Sequence, residues 1–539
     1  MQLGQGEVSV GVGGWAASEF ARLERERPRE AIAGRSRPRR LLLIHLDGIP
    51  RTVLEQAFQD GSMPFMGRLL RSGRYRLDGA FWGSPASTPA FQAGLLYGLR
   101  HPDLPAYHWY DRELGRTVHM STPSDALAIE QRLDRREDQS LLRGGGVAYL
   151  SLFRAHAENQ AAMTALADLK GLLRDVRAEL GRRRGVASRG LLASVGHAVA
   201  DTTRAMRDAW AWGRSLGGDY RHEREYLKNR FLMMQLAWPL AHARALVDMV
   251  RGVPMIYLVF GNFDEVAHRR GPFSPQAKAE LVRVDRGLEE LYAFARLAQP
   301  SYDVVFVTDH GHVESVPFEQ RQRRSIADAL MGSGEPAALP AALEAALRTG
   351  GASSAMPTGE ARRPELVEAG NFAHLYVSPR ETPLDADELL EGPHRDILAR
   401  AALHPELGVV TVRRGAGAVA LIGGRAFGPD ALERAPLSPQ FNVEAVRDLL
   451  LELPHMPTAG DLVLFGESTG PARTVGFAWE FGSHGGLTHA ETDSLIVWPT
   501  DAPFRGSGLT HITDLHARLA EAYPQSRIRP HTAVQSGVG

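Results

Sequence analysis

The clearest pattern in the chain is a short apolar run that ends on a polar residue. Leu41–Pro50 reads LLLIHLDGIP: five of its first six residues are apolar, and the run stops at Asp47-Gly48. An unbroken run suits a central parallel strand, because helices cover both of its faces. The same shape recurs at Val253–Phe260 (VPMIYLVF), at Tyr302–Val307 and, late in the chain, at SLIVWP (494–499). Between these runs the apolar spacing changes to three and four residues. Residues 51–72, Ala90–Leu99 and 276–298 are expected to be helices on that basis, and 74–82 a further strand. Strands that alternate with helices in this way predict an α/β chain around a mostly parallel sheet.

The pattern changes twice. From about 158 to 250 the chain reads almost wholly helical: Leu192, Val195, Val199, Thr202, Met206 and Ala209 recur at helical spacing, and a break is expected at Pro239. This block is read as a helical insertion whose apolar faces pack together; contact with a membrane surface or with a second copy is the alternative use of such helices. Residues 366–460 mix strands and helices (GNFAHLYVS, ADELLEGPHRDILARAALH, GVVTVRR, AVALIGG) and suggest a small accessory α/β lobe. The expected organisation is a leader over 1–39, core segments over 40–150, 251–320 and 461–539, the helical insertion over 151–250, an irregular excursion over 321–365, and the lobe over 366–460.

Length supports this division, since 539 residues exceed what one compact core usually holds. Composition narrows the function only by exclusion. A formal net charge of −1 gives no global attraction to nucleic acid or to an anionic membrane. There are no cysteines, so any metal must be held by histidine, carboxylate or hydroxyl oxygen. No apolar run has the length of a membrane span. The first twenty residues lack the basic start and apolar centre of a secretory signal, and residues 21–40 are Arg-rich but interrupted by Glu24, Glu26 and Glu30. A cytoplasmic protein with a solvated leader is the expectation.

Candidate chemistry gathers where the strands end, which is where open α/β sheets bind ligands. Asp47 ends the first run. Thr88 precedes Pro89 and the Ala90–Leu99 helix, so it falls at the N-cap. A structural cap is the plain account; the functional one is a nucleophile facing unpaired N–H groups and the positive end of the helix dipole, with Ser87 as competitor. Asp264 and His268 follow the second strand at a spacing of four, on one side of a helical turn, like an ordinary surface ion pair or a pair of metal ligands. Asp309-His310-Gly311 follows the third. His484 lies among glycines before the last strand, with His489 as a less favoured alternative. His374 reads as a packed histidine, and His45, on the same strand face as Asp47, as packing.

Taken together, Asp47-Gly48, Thr88 before a helix, Asp264-x-x-x-His268-x-x-Gly271-Pro272, Asp309-His310-Gly311 and His484-Gly485 resemble the alkaline phosphatase superfamily, and within it the type I phosphodiesterase/nucleotide pyrophosphatase family. The resemblance covers roughly 40–110, 252–315 and 480–500. It implies an alkaline-phosphatase-like fold and hydrolysis of phosphoric esters, with diester or pyrophosphate bonds preferred. It also implies two divalent metal ions, zinc first and manganese second. Asp264, His268 and His484 would hold one, and Asp47, Asp309 and His310 the other, with Thr88 between them as nucleophile. The implied partner is a small phosphoester, a nucleotide or a lipid head group. The chain departs from the family in one place: an Asn often stands three residues beyond the nucleophile, and here that residue is Phe91. A phosphomonoesterase or phosphonate hydrolase on the same core is the nearest alternative. A non-catalytic module that binds through the helical insertion is the alternative of a different class.

Overall fold

The structure is a computed structural model that describes residues 39–137, 140–158, 202–216, 220–298, 301–332, 338–349, 364–377 and 382–524. The leader before Arg39, the Leu192–Val199 part of the helical pattern and parts of the 321–365 excursion lie outside the described residues.

A six-stranded sheet organises the fold. Its spatial order is Tyr75–Ala80, Ser494–Pro499, Tyr302–Thr308, Arg40–Leu46, Met255–Phe260 and Val147–Tyr149. Arg40–Leu46 is central and parallel to both neighbours, with Leu46 opposite Phe260 on one side and Thr308 on the other. Ser494–Pro499 alone runs antiparallel to its partners. The expected mixed α/β architecture with a mostly parallel central sheet is therefore the observed one.

Alternate residues of the central strand feed two cores. Leu42, Ile44 and Leu46 pack with helices drawn from Arg51–Asp60, Pro64–Arg71, Trp238–Arg251 and Pro275–Leu297. Leu41 and Leu43 face the Thr88–Tyr97, Pro123–Arg136 and Ile512–Ala522 helices on the other side. The Thr88–Tyr97 helix is buried nearly all round, and Gly94 permits that: a Cβ there would lie 2.3 Å from Cγ2 of Ile512. One helix expected over 51–72 is two, because Gly61 leaves the first in the left-handed region at φ 79° and Pro64 starts the second.

A second sheet, antiparallel throughout, has the order Arg425–Phe427, Gly417–Ile422, Leu407–Arg414, Leu462–Gly466, Phe372–Tyr376 and Glu365–Ala369. Leu462–Gly466, grouped by sequence with the third core segment, sits inside this sheet, paired on both sides. The 321–365 excursion holds two short helices, Ile326–Met331 and Ala341–Leu347, whose apolar residues pack under the same sheet.

A buried cation helps to join the helical insertion to the core. Arg270 pairs with Asp208 at 2.8 Å and Glu223 at 2.7 Å, and its guanidinium lies over the rings of Trp212 and Tyr226. The break expected at Pro239 comes earlier, as a π-helical stretch over Phe231–Ala237, and Pro239 then sits in the first turn of Trp238–Arg251, where its missing N–H costs nothing. No helix among the described residues is long and apolar enough to cross a membrane.

One long-range contact ties together two helices on the same face of the sheet. The Asp285 carboxylate, buried on the Pro275–Leu297 helix, accepts the backbone N–H groups of Phe65 (2.8 Å) and Met66 (3.0 Å) at the start of the Pro64–Arg71 helix. Asp285→Ala should leave both N–H groups unpaired and cost about 1–3 kcal/mol. A lowered denaturation midpoint with unchanged secondary structure is the expected result, and a midpoint equal to that of the parent would refute this contact's weight.

Candidate active site

Five segments meet along the edge of the sheet where the parallel strands end. Asp47 leaves the central strand beside Asp309, because Leu46 and Thr308 are paired. On the other side, Leu46 pairs with Phe260, and the Asn262–Arg270 helix that follows carries Asp264 and His268. The antiparallel direction of Ser494–Pro499 puts its start at the same edge, so the loop before it delivers His484. The loop after Tyr75–Ala80 leads to Thr88. Gly48 is required at the crossing point. Its φ of 68° is left-handed, and a Cβ there would fall 2.5 Å from Asp264 Oδ1 and 2.7 Å from His312 Cε1.

Thr88 stands at the centre of the first group of side chains. Its Oγ1 lies 2.9 Å from Asp309 Oδ2, 3.1 Å from His310 Nε2 and 3.3 Å from Asp47 Oδ1. The N-cap of the Thr88–Tyr97 helix is Ser87, and Thr88 is the first helical residue, one position later than the sequence suggests. That shift separates the two hydroxyls: the Ser87 hydroxyl is buried and has no hydrogen-bond partner, while that of Thr88 faces the cluster. His310 Nδ1 lies 3.1 Å from the Gly311 carbonyl, to which it donates, so its Nε2 is turned toward Thr88. Asp309 Oδ1 accepts from the N–H groups of Gly48 (3.1 Å) and His310 (2.9 Å), and His45 Nε2 lies 3.2 Å away. Oδ2 is left to face Thr88.

The second group contains Asp264, His268, His312 and His484, with one donor atom of each lying within 4.8 Å of the others. His268 Nε2 is 3.5 Å from Asp264 Oδ2, and His484 Nε2 is 3.7 Å from Asp264 Oδ1. His268 Nδ1 faces the Gly482 carbonyl at 3.2 Å and Glu480 Oε2 at 3.1 Å, which again leaves Nε2 directed inward. The groups adjoin: the rings of His310 and His484 stack with centroids 3.8 Å apart, and Asp47, Asp264 and His310 form a third overlapping set.

All seven residues singled out in the sequence thus lie in one cluster, in which Thr88, Asp309 and His310 are buried and the other four half-buried. The competing histidines do not. His489 is exposed and pairs with Asp493 at 3.2 Å. His374 is buried between the Pro105 carbonyl and the Gly460 N–H, as packing. Three neighbours were missed. His45, read as packing, turns its Nε2 to Asp309 while its Nδ1 meets the Tyr257 hydroxyl at 2.7 Å. Glu480 backs His268. His312 was visible as the second histidine of Asp-His-Gly-His, but nothing local set its direction. Phe91, at the offset where the family often has Asn, packs against His45 and Trp82 with ring centroids 4.9 and 6.0 Å away, and so supplies no polar contact. Trp109 is likewise fully buried, and Tyr107 is half-buried.

The electrostatics are opposed within this small volume. Burial, with Asp309 and Asp264 nearby, pushes the Asp47 carboxyl well above the usual range. Burial works the same way on Asp309, yet His310 and His45 overcome it and hold that carboxyl well below. Asp264 is held low against burial by His268, His312 and His484. Burial, with little to offset it, pushes His312 down to about 3, and burial together with His310 pushes His484 down. Against burial, Glu480 and Asp264 hold His268 well above the usual histidine range and Asp309 holds His310 above it, so three carboxylates share this space with two histidines biased toward the cationic form and two, His312 and His484, biased toward the neutral one. Asp264 Oδ1, His312 Nε2 and His484 Nδ1 are buried with no hydrogen-bond partner. Such donors fit divalent cations that prefer nitrogen and oxygen ligands.

A sequence model of the type I phosphodiesterase/nucleotide pyrophosphatase family matches residues 41–406. Comparison with curated proteins finds no match. Among solved structures, the chain is similar to phosphonoacetate hydrolase from Sinorhizobium meliloti 1021 in complex with phosphonoformate, at 17% identity and a TM-score of 0.43, over 92% of this chain and 98% of that one. It is also similar to murine ectonucleotide pyrophosphatase/phosphodiesterase 5, at 11% identity and a TM-score of 0.46, over 89% and 94% of the two chains. The family match spans well over half of the sequence and includes every segment of the cluster except the loop that carries His484: the chain belongs to the type I phosphodiesterase/nucleotide pyrophosphatase family, and it is a hydrolase.

Proposed function

We propose that this chain hydrolyses phosphodiester or pyrophosphate bonds in two steps through a phospho-threonine at Thr88, with two divalent cations. Zinc is the first choice of ion and manganese the second. Asp47, Thr88, Asp309 and His310 would hold one cation, and Asp264, His268 and His484 the other. A single observation carries the reading: the Thr88 oxygen lies within 3.3 Å of two carboxylates and a histidine Nε2. One hydroxyl proton cannot serve both carboxylates, and a cation among the three groups can.

In the first step the Thr88 oxygen attacks phosphorus, its proton is lost, and the bond to the leaving group breaks. In the second, water attacks the phosphoryl group and frees Thr88. Bound cations would supply what a threonine lacks, stabilising its alkoxide and the departing oxygen and lowering the pKa of the attacking water. The chain's own residues orient the reaction. Asp309 is fixed through Oδ1 so that Oδ2 stays on Thr88. The unpaired N–H groups at the start of the Thr88–Tyr97 helix, and the positive end of its dipole, favour negative charge on the threonine and on phosphoryl oxygens. Those N–H groups stand in for the side-chain amide that Phe91 replaces. The substrate is a small phosphoester, and nucleotide and lipid head-group diesters are its two candidate classes.

Thr88→Ala should fold and bind cations while losing most turnover, by about a factor of 10³ or more if the covalent step is the main route. A panel of chromogenic monoesters, diesters and phosphonates with added zinc or manganese measures this. Rapid quenching of the parent protein with labelled substrate should trap label on Thr88. Activity of Thr88→Ala equal to that of the parent would remove Thr88 from its role. Gly48→Ala tests the crossing point separately: added bulk against Asp264, at a left-handed φ, should remove chelator-sensitive activity and reduce bound metal in a folded protein. Full metal content in that variant would contradict the placement of Asp264.

A further inference from the structure

We propose that His312 is a fourth protein ligand of the cation assigned above to Asp264, His268 and His484. This inference rests on the two-cation reading and adds a residue to one of its sites.

His312 is fully buried at the end of the Tyr302–Thr308 strand, two residues beyond His310. Its Nδ1 lies 2.7 Å from the Gly48 carbonyl oxygen. A carbonyl only accepts, so the proton of a neutral ring sits on Nδ1 and the lone pair on Nε2. That Nε2 is 3.4 Å from Asp264 Oδ1, and neither atom has a hydrogen-bond partner. A lone pair facing a carboxylate oxygen at that distance is unfavourable unless a cation lies between them.

The distances match one ion. Four donors at about 2.0–2.1 Å from a tetrahedral centre stand about 3.3–3.4 Å apart. Asp264 Oδ1 lies 3.4 Å from His312 and 3.7 Å from His484, and its Oδ2 lies 3.5 Å from His268. The rings are arranged to match. Centroids of His268, His312 and His484 form a nearly equilateral triangle with sides of 4.8, 4.9 and 5.0 Å, and its planes are inclined by 54–78°. Three imidazoles so placed converge on one point beside a carboxylate. Glu480 differs: it meets the Nδ1 of His268, the far side of that ring, and so acts on the ligand from behind.

The assignment has a chemical consequence. Catalytic zinc sites commonly use three protein ligands and keep the fourth position for solvent or substrate. With His312 bound, an incoming oxygen must enter as a fifth ligand. The ion gains no extra negative charge and is held more tightly than its neighbour beside Thr88.

The test uses the full chain loaded with Co²⁺ and does not depend on turnover. With one equivalent bound, proton NMR should show three exchangeable, strongly shifted imidazole N–H signals. His312→Gln should lose one of them, change the visible cobalt spectrum and weaken the tighter ion by about tenfold or more in chelator competition. Glu480→Gln should weaken binding while keeping three signals and the parent spectrum. Two signals in the parent protein, or an unchanged spectrum in His312→Gln, would overturn the assignment while leaving the two-cation reading intact. A parent protein that binds no Co²⁺ would refute that reading itself and this inference with it. The signal count in the parent decides the question even if His312→Gln fails to fold.

Discussion

Asp47, Asp264 and Asp309 lie together, Asp309 buried and the other two largely so, and that crowding of negative charge governs the architecture around them. Carboxylates in such a place must be protonated, paired with cationic groups or coordinated to metal. The chain supplies histidines whose outer nitrogens are tied to carbonyls of Gly311, Gly482 and Gly48, which turns their Nε2 atoms inward. Burial biases His312 and His484 toward the neutral form, which offsets no negative charge, so the arrangement makes chemical sense around divalent ions. The opposed shifts of Asp47 and Asp309 express the same frustration in the protein alone.

Much of the fold serves to hold that crowding in place. The parallel strands aim Asp47, Asp264 and Asp309 at one edge, and the reversed Ser494–Pro499 strand brings His484 to the same edge from the far end of the chain. The helical insertion contributes too. By burying Arg270 against Asp208 and Glu223, it clamps the short helix on which Asp264 and His268 ride. The neighbouring Phe481 N–H donates to the His268 carbonyl at 2.8 Å, which ties the His484 loop to that helix. A block read from sequence as an insertion whose helices pack on one another is thus also joined to the cluster.

The central sheet and the segments bearing the cluster were legible because their signals are local: unbroken apolar runs, each stopped by Asp or by a glycine turn. What escaped was non-local. His45 and His312 take their directions from Tyr257 and from the Gly48 carbonyl, far away in the chain, and no spacing rule encodes such a contact. Leu462–Gly466 has the same apolar run as a core strand, and only its antiparallel partners assign it to the second sheet. Thr88 lay one residue from its true place because Ser and Thr cap helices about equally well. At Pro239 the expected kink was replaced by an earlier π-helical stretch, which lets the proline enter a fresh helical turn.

The central claim is that two cations sit among these seven residues with Thr88 on one of them. Crystals of the zinc-loaded protein, with anomalous scattering recorded on both sides of the zinc edge, test it most directly. The account predicts two peaks, one bonded to Asp47, Thr88, Asp309 and His310 and one to Asp264, His268 and His484. Zinc bound elsewhere, or a single peak that does not touch Thr88, would contradict it.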